Sequence, residues 1–229
     1  MKATLQALLI CLLLLGPASG CARPALSEVA QSNLARVTNP DVPPQDLQEL
    51  VHGNSAFAFD LYHALRKEEG GNLFYSPFSI SIALAMTWAG ARGKTEQEMA
   101  DVLHFTLPQE RLHPAFNALD LELARRGQGK EGEGFRLHIV NAIWGQRGFR
   151  FLTEFLDTLA CNYGAGLRLL DFKSDPEAAR KVINDWVSDQ TEGRIRDLIP
   201  PGAIDFLTRL VLANAIYFNA AWAEPFDKN

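Results

Sequence analysis

The sequence predicts an α+β protein in which helices pack on a large central β-sheet. Helical and strand patterns mix along its 229 residues without the strict alternation of strand and helix that produces a doubly wound parallel sheet. Residues 207–218 are nearly all apolar, as expected of a strand in the middle of a covered sheet. With 47% hydrophobic residues the chain can build a core, which excludes a wholly disordered protein.

Three helices are predicted in the first half of the chain. Apolar residues at helical spacing indicate the first helix over residues 46–65. Ser76 is a good N-cap and Pro77 suits the first position of a second helix, which continues to residue 88. Thr95 and Glu98 form the T-x-x-E pattern of a capping box, which predicts the start of a third helix.

Three further helices are predicted over residues 109–126, 152–159 and 175–190, and Asp175 and Pro176 mark the start of the last one. Short apolar runs predict strands at residues 73–75, 135–144, 167–172 and 207–218. A long central strand needs neighbours on both edges, and few other strands are predicted. We therefore expect the chain to be part of a larger fold.

The first twenty residues have the pattern of a secretory signal peptide. Lys2 precedes a wholly apolar run at residues 7–15, and small residues follow at Ala18 and Gly20. The run is too short to span a bilayer, and no later stretch is long enough. We expect an exported, extracellular protein with residues 1–20 removed; a buried N-terminal element is the alternative.

Cys21 follows the signal in the context Ala18-Ser19-Gly20-Cys21, which resembles a bacterial lipobox, although that pattern usually has Leu in place of Ala18. Acylated Cys21 would make the protein a membrane-tethered lipoprotein; simple cleavage that leaves a free thiol is the alternative. Residues 21–44 contain four prolines and few large apolar side chains, so we expect a linker or tether there. The folded domain is predicted over residues 45–229.

The sequence contains no catalytic or metal-binding pattern. Its five histidines lack metal-ligand spacing, and three cysteines cannot build a disulfide framework. The net charge of −5 argues against a nucleic-acid partner. Gly93-Lys94-Thr95 resembles the end of a nucleotide-binding P-loop, but Trp88 replaces the required earlier glycine, and the segment follows a predicted helix. We therefore predict a protein that is not an enzyme and needs no cofactor or metal.

Several blocks of the sequence, taken together, resemble the serpin family of serine protease inhibitors. The longest is NLFYSPFSISIALAMTWAGARGKTEQEMADVLHF at residues 72–105. The family's order continues with VNAIW at 140–144, LDF at 170–172, INDWV at 183–187, TEGRI at 191–195 and TRLVLANAIYF at 208–218. Distinct blocks in the right order are a specific signal, and the resemblance covers nearly all of residues 46–229.

The resemblance implies a suicide-substrate inhibitor. In serpins, an exposed loop near the C-terminus offers a bait bond to a serine protease; after cleavage and acylation the loop inserts as a new strand into the central sheet and the protease is distorted. In the family this loop lies beyond the position of Asn229, so this chain is expected to lack a reactive bond. The implied partner is a serine or cysteine protease, and the protein is expected to be a monomer. A non-inhibitory serpin, acting as a binding or chaperone-like module, is the alternative.

The resemblance also assigns four residues to opening of the sheet. Ser76 and Ser79 match a polar pair at the start of the helix under the sheet, and Asn214 matches the sheet asparagine that they face. Trp222 matches the tryptophan at the top of the sheet, where the loop first enters. A simple N-cap is the alternative for Ser76, and a core position is the alternative for Trp222.

Overall fold

The computed structural model describes residues 28–127, 135–222 and Glu224. The predicted signal peptide, residues 1–20, and Cys21 lie outside the described residues. Within the described part the chain forms six helices and four strands. In chain order they are β1 (Glu28–Ala30), α1 (Pro44–Glu68), α2 (Pro77–Trp88), α3 (Lys94–Leu103), α4 (Gln109–Arg126), β2 (Phe135–Gln146), α5 (Thr153–Tyr163), β3 (Leu167–Leu170), α6 (Pro176–Gln190) and β4 (Leu210–Ala220).

The four strands form one mixed sheet in the order β1-β3-β2-β4. Strands β2 and β3 run parallel, whereas β1 pairs with β3 and β4 pairs with β2 in the antiparallel sense. The longest pairing joins β2 to β4, from Phe135 opposite Ala220 to Gly145 opposite Leu210. This mixture of helices and a mixed sheet confirms the predicted α+β class.

Helices pack on both faces of the sheet. Neighbouring residues of a strand point to opposite faces, so adjacent residues of β2 contact different helices. Trp144 packs in one cluster with Ile183 and Val187 of α6. The adjacent Ile143 packs in another cluster with Met86 of α2 and with residues of α5. A third cluster joins α1, α2 and α4 around the fully buried Phe116. The near-continuous apolar pattern of β2 and β4 thus follows from burial on two faces.

Two local predictions fail. The capping box at Thr95 and Glu98 does not form, because α3 begins two residues earlier than this box requires and its N-cap is Gly93, at φ +61° and without a side-chain cap. Residues 73–75 are not a strand. Phe74 is 86% exposed, and the Tyr75 hydroxyl donates to the carbonyl of Ala58, so this segment packs against α1 and pairs with no strand of the described sheet.

Residues 28–37, which we name the N-terminal segment, depart from the expected linker. Their first three residues form β1 on the edge of β3. Further along, Arg36 binds Asn117 and Asp120 of α4, and the Val37 N–H donates to the Cys161 carbonyl of α5. Part of the predicted tether is therefore docked on the domain. Its few large apolar side chains concealed this, because backbone and polar contacts hold it.

Candidate functional site

A polar cluster connects α2 to the two longest strands. The Oγ of Ser79 lies 2.9 Å from Oδ1 and 2.6 Å from Nδ2 of Asn214. Asn214 Nδ2 also donates to Oδ1 of Asn141 at 2.7 Å. Ser79 is fully buried, and a buried hydroxyl or amide is costly unless it is hydrogen-bonded. We name Ser79, Asn141 and Asn214 the polar cluster.

Local structure places each member of the polar cluster. Ser79 lies in the first turn of α2, where Pro77 begins the helix. Asn214 lies in the middle of β4 and is directly opposite Asn141 on β2. One helix and two strands are therefore joined through a single asparagine side chain.

Asn141 is a site residue that sequence reasoning missed. It lies in the VNAIW block at residues 140–144, but nothing within that block indicates which side chain faces Asn214. Asn141 is identified by the register of the sheet, in which β2 and β4 pair antiparallel with Asn141 opposite Asn214. A register is a long-range property that local pattern alone does not provide.

Ser76 and Ser79 have different environments, although both were assigned to one polar pair. The Ser76 Oγ accepts a hydrogen bond from the Ser79 backbone N–H at 3.3 Å and so caps α2. Ser79, and not Ser76, hydrogen-bonds to Asn214.

Trp222 lies away from the polar cluster. It is two residues beyond the end of β4, and its side chain is 71% exposed. Ala220 lies six positions after Asn214 along the strand, which corresponds to about 20 Å. Trp222 is therefore placed near one end of the sheet and does not fill the core.

The polar cluster contains hydroxyl and amide groups and no ionisable side chain. The Ser79 hydroxyl faces an amide instead of a histidine or carboxylate, so no base activates it as a nucleophile. No group of three or more His, Cys, Asp or Glu residues in the described part of the chain could hold a metal ion. Such a cluster can fix the helix and the two strands relative to each other, or exchange partners when they move.

The segment that resembles a P-loop forms a turn between α2 and α3. Lys94 pairs with Glu98 one turn later at 3.3 Å, and both side chains are largely exposed. The turn follows a helix, as the sequence predicts, and a P-loop would follow a strand. This geometry supports the interpretation as a helix–helix turn.

No helix within residues 28–127 or 135–222 has the length and apolar character of a membrane span.

One buried titratable pair lies between α4 and α5. His113 Nδ1 is 2.6 Å from the Tyr163 hydroxyl, and the imidazole Nε2 is buried with no hydrogen-bond partner. Burial, together with the positive charge of Arg92, lowers the pKa of His113 to about 4. Burial and the negative charge of Asp120 raise the pKa of Tyr163. Both groups are therefore neutral at pH 7.

Solved structures with a similar fold include ovalbumins. An uncleaved ovalbumin aligns with a TM-score of 0.66 and 29% identity, covering 74% of this chain and 45% of that chain. Emu ovalbumin aligns with a TM-score of 0.69 and 27% identity, covering 78% of this chain and 49% of that chain. A loop-inserted structure of a cleaved ovalbumin mutant aligns with a TM-score of 0.68 and 26% identity.

Curated relatives include proteins named leukocyte elastase inhibitor. The pig protein, from Sus scrofa, is 42% identical over 181 residues, which are 79% of this chain and 46% of the relative. The human protein, from Homo sapiens, is 40% identical over 183 residues, 80% of this chain and 47% of the relative. This chain thus spans about half the length of the relatives that it matches. The family model "Serpin (serine protease inhibitor)" matches residues 52–229. The chain therefore belongs to the serpin family, which is a family of protease inhibitors and not of enzymes.

Proposed function

We propose that the complete protein inhibits a serine protease by suicide-substrate loop insertion. The observation that carries this proposal is the family match over residues 52–229, together with relatives named leukocyte elastase inhibitor. The preferred target is a serine protease such as an elastase, and a cysteine protease is the second target class. The inhibitor acts as a monomer, without cofactor or metal.

We propose that the inserting loop joins the sheet beside β4. Within the described sheet, β4 pairs with β2 on one side only. A strand added at its other edge would satisfy the backbone groups of that edge. The similar fold of a loop-inserted, cleaved ovalbumin supports insertion into a sheet of this kind.

We propose that the polar cluster controls this opening. Ser79 and Asn141 both bind Asn214, so movement of β4 away from α2 or from β2 must break or exchange these hydrogen bonds. Ser76 contributes by fixing the first turn of α2. Trp222 is proposed to lie where the loop first enters, consistent with its exposed position beyond the end of β4.

Inhibition kinetics test the proposed activity. The complete protein would be incubated with leukocyte elastase, trypsin, chymotrypsin and the cysteine protease papain, and the residual protease activity would be followed with time. We expect a time-dependent, irreversible loss of activity for at least one serine protease. Full activity of every protease after long incubation would instead support the alternative, a non-inhibitory binding or chaperone-like module.

We also propose that the protein is exported and that Cys21 anchors it to a membrane as in bacterial lipoproteins. The proposal depends on the signal pattern of residues 1–20 and the lipobox-like context of Cys21. Expression with this leader in a bacterial host, followed by fractionation and intact mass analysis, tests both parts. We expect acylated protein in the membrane fraction and unacylated protein from Cys21→Ser outside it. An unacylated wild-type protein refutes the anchor, and an uncleaved leader in the cytoplasm refutes export.

A further inference from the structure

The N-terminal segment is held on the domain with little apolar burial. Val29 is 41% exposed, Leu34 is 53% exposed and Val37 is 44% exposed. Its attachment includes the three-residue strand β1, polar contacts made by Arg36 and Val37, an ion pair between Glu28 and Arg147 at 3.5 Å, and packing of Ala30 against one core cluster. Because little apolar surface is covered, the hydrophobic contribution to this attachment is small. The segment can therefore leave its position without disrupting the core.

The surface beneath the segment is nevertheless shaped for it. We name this surface the docking face; it comprises the edge of β3 that pairs with β1, Gly166, and the sides of α4 and α5 that carry Asn117, Asp120 and Cys161. A Cβ atom at Gly166 would lie 2.6 Å from Val29 Cγ1, so a larger residue at this position would force Val29 to shift. A Cβ at Gly164 would lie 2.9 Å from Cδ of Arg36.

A fully buried asparagine holds the segment from two sides. Asn117 Oδ1 accepts from Arg36 Nε at 2.9 Å, and Asn117 Nδ2 donates to the Val37 carbonyl at 2.7 Å. The Arg36 guanidinium also forms an ion pair with Asp120 at 2.6 Å, and both side chains are about three-quarters buried. Charge-assisted hydrogen bonds of this kind fix the register of an extended segment.

Residues 38–43 connect the segment to α1. They contain Pro40 and Pro43, form neither helix nor strand, and are exposed or only partly buried. A short connection between a detachable element and its domain is the arrangement from which identical elements exchange between protomers.

We propose that, at high protein concentration, the docking face also binds the N-terminal segment of a second copy of this chain, giving a reciprocal dimer in equilibrium with the monomer. Every contact described for the segment within one chain is then made between two chains, so the exchange creates no new unsatisfied group. The edge of β3 stays paired in both forms, which avoids an open strand edge. At low concentration the short connection favours binding within one chain, because the effective concentration of its own segment is high.

Shortening the connection in the full-length protein tests this proposal. Deleting residues 39–41 leaves three residues between Val37 and α1 and opposes closure within one chain. We expect a dimer by light scattering, whereas the same deletion combined with Arg36→Ala stays monomeric. A folded monomer from the deletion alone overturns the proposal. A dimer that persists with both Arg36→Ala and Gly166→Val also overturns it, because the association would then not use the docking face.

A peptide provides a second measurement that does not depend on the deletion variant folding. The fluorescent peptide EVAQSNLARV, which has the sequence of residues 28–37, is titrated into the full-length Arg36→Ala protein. The docking face of this variant is intact and its own segment competes weakly, so we expect binding at least about tenfold tighter than to the unmodified protein. Gly166→Val in the same background, and a peptide with Ala in place of Arg, should each lose this binding. Absence of binding to the Arg36→Ala protein overturns the proposal.

Discussion

Replacing Asn214 by alanine should destabilise the protein more than any other single change in the polar cluster. The substitution removes the hydrogen bond to Asn141 and the contact with Ser79, and leaves a fully buried hydroxyl without a partner. Each hydrogen bond contributes about 0.5–1.5 kcal/mol net, and a buried unsatisfied group costs about 1–3 kcal/mol. We expect Asn214→Ala to lower the free energy of unfolding by about 2–4 kcal/mol, and Ser79→Ala by about 1–2 kcal/mol.

A double-mutant cycle separates Ser79 from Ser76. Ser79 and Asn214 are in contact, so their substitutions should be non-additive by about 0.5–2 kcal/mol. Ser76 caps α2 and has no hydrogen bond to Asn214, so Ser76→Ala should cost about 1 kcal/mol and be additive with Asn214→Ala. The assay is equilibrium urea unfolding of the complete protein, monitored by tryptophan fluorescence, with equal m-values required across the set. Additivity for Ser79 with Asn214, or clear coupling for Ser76 with Asn214, would refute the assignment.

Three further predictions concern other parts of the fold. His113 has a pKa of about 4 in the folded state and an ordinary value of 6.5, so the unfolded state binds more protons between these values and stability falls as the pH drops from about 6.5 to 4. The loss reaches about 3 kcal/mol, and His113→Gln should remove this part of the pH dependence of unfolding; an unchanged pH profile contradicts the prediction. Gly53→Ala should cost about 1–3 kcal/mol, because its Cβ would overlap the His104 carbonyl, whereas the control Gly71→Ala, which meets only open space, should change stability by less than about 0.5 kcal/mol. Asp175→Ala removes the 2.9 Å cap of the Ala178 N–H and should lower the melting temperature through a loss of about 1 kcal/mol; equal melting temperatures would refute a role for this cap.

The sequence predicted elements whose signals are local. Ser76-Pro77 and Asp175-Pro176 start α2 and α6 as expected, because a cap and a proline act within one turn. The prediction of a capping box at Thr95 was wrong, because a different residue starts the helix. Gly93 starts α3 from a positive φ, so the helix begins two residues too early for Thr95 to cap it.

Contacts between distant parts of the chain required the structure. The pairing of Ser79 with Asn214 was available only through the family resemblance, and Asn141 was missed because the register of β2 and β4 sets it. The docking of residues 28–37 was missed because a buried Asn117 and two glycines receive them, and none of these residues is near the segment in sequence. A proline-containing composition says little about such a surface.

The mass of a covalent complex with a serine protease tests the central proposal most directly. The complete protein, in small molar excess, would be mixed with leukocyte elastase. The mixture would then be denatured and analysed by gel electrophoresis and intact mass measurement. Suicide-substrate inhibition predicts a denaturation-resistant species whose mass equals the protease plus the cleaved inhibitor. Recovery of free protease, with the protein either intact or simply cut and no complex at any ratio, would contradict the proposed mechanism.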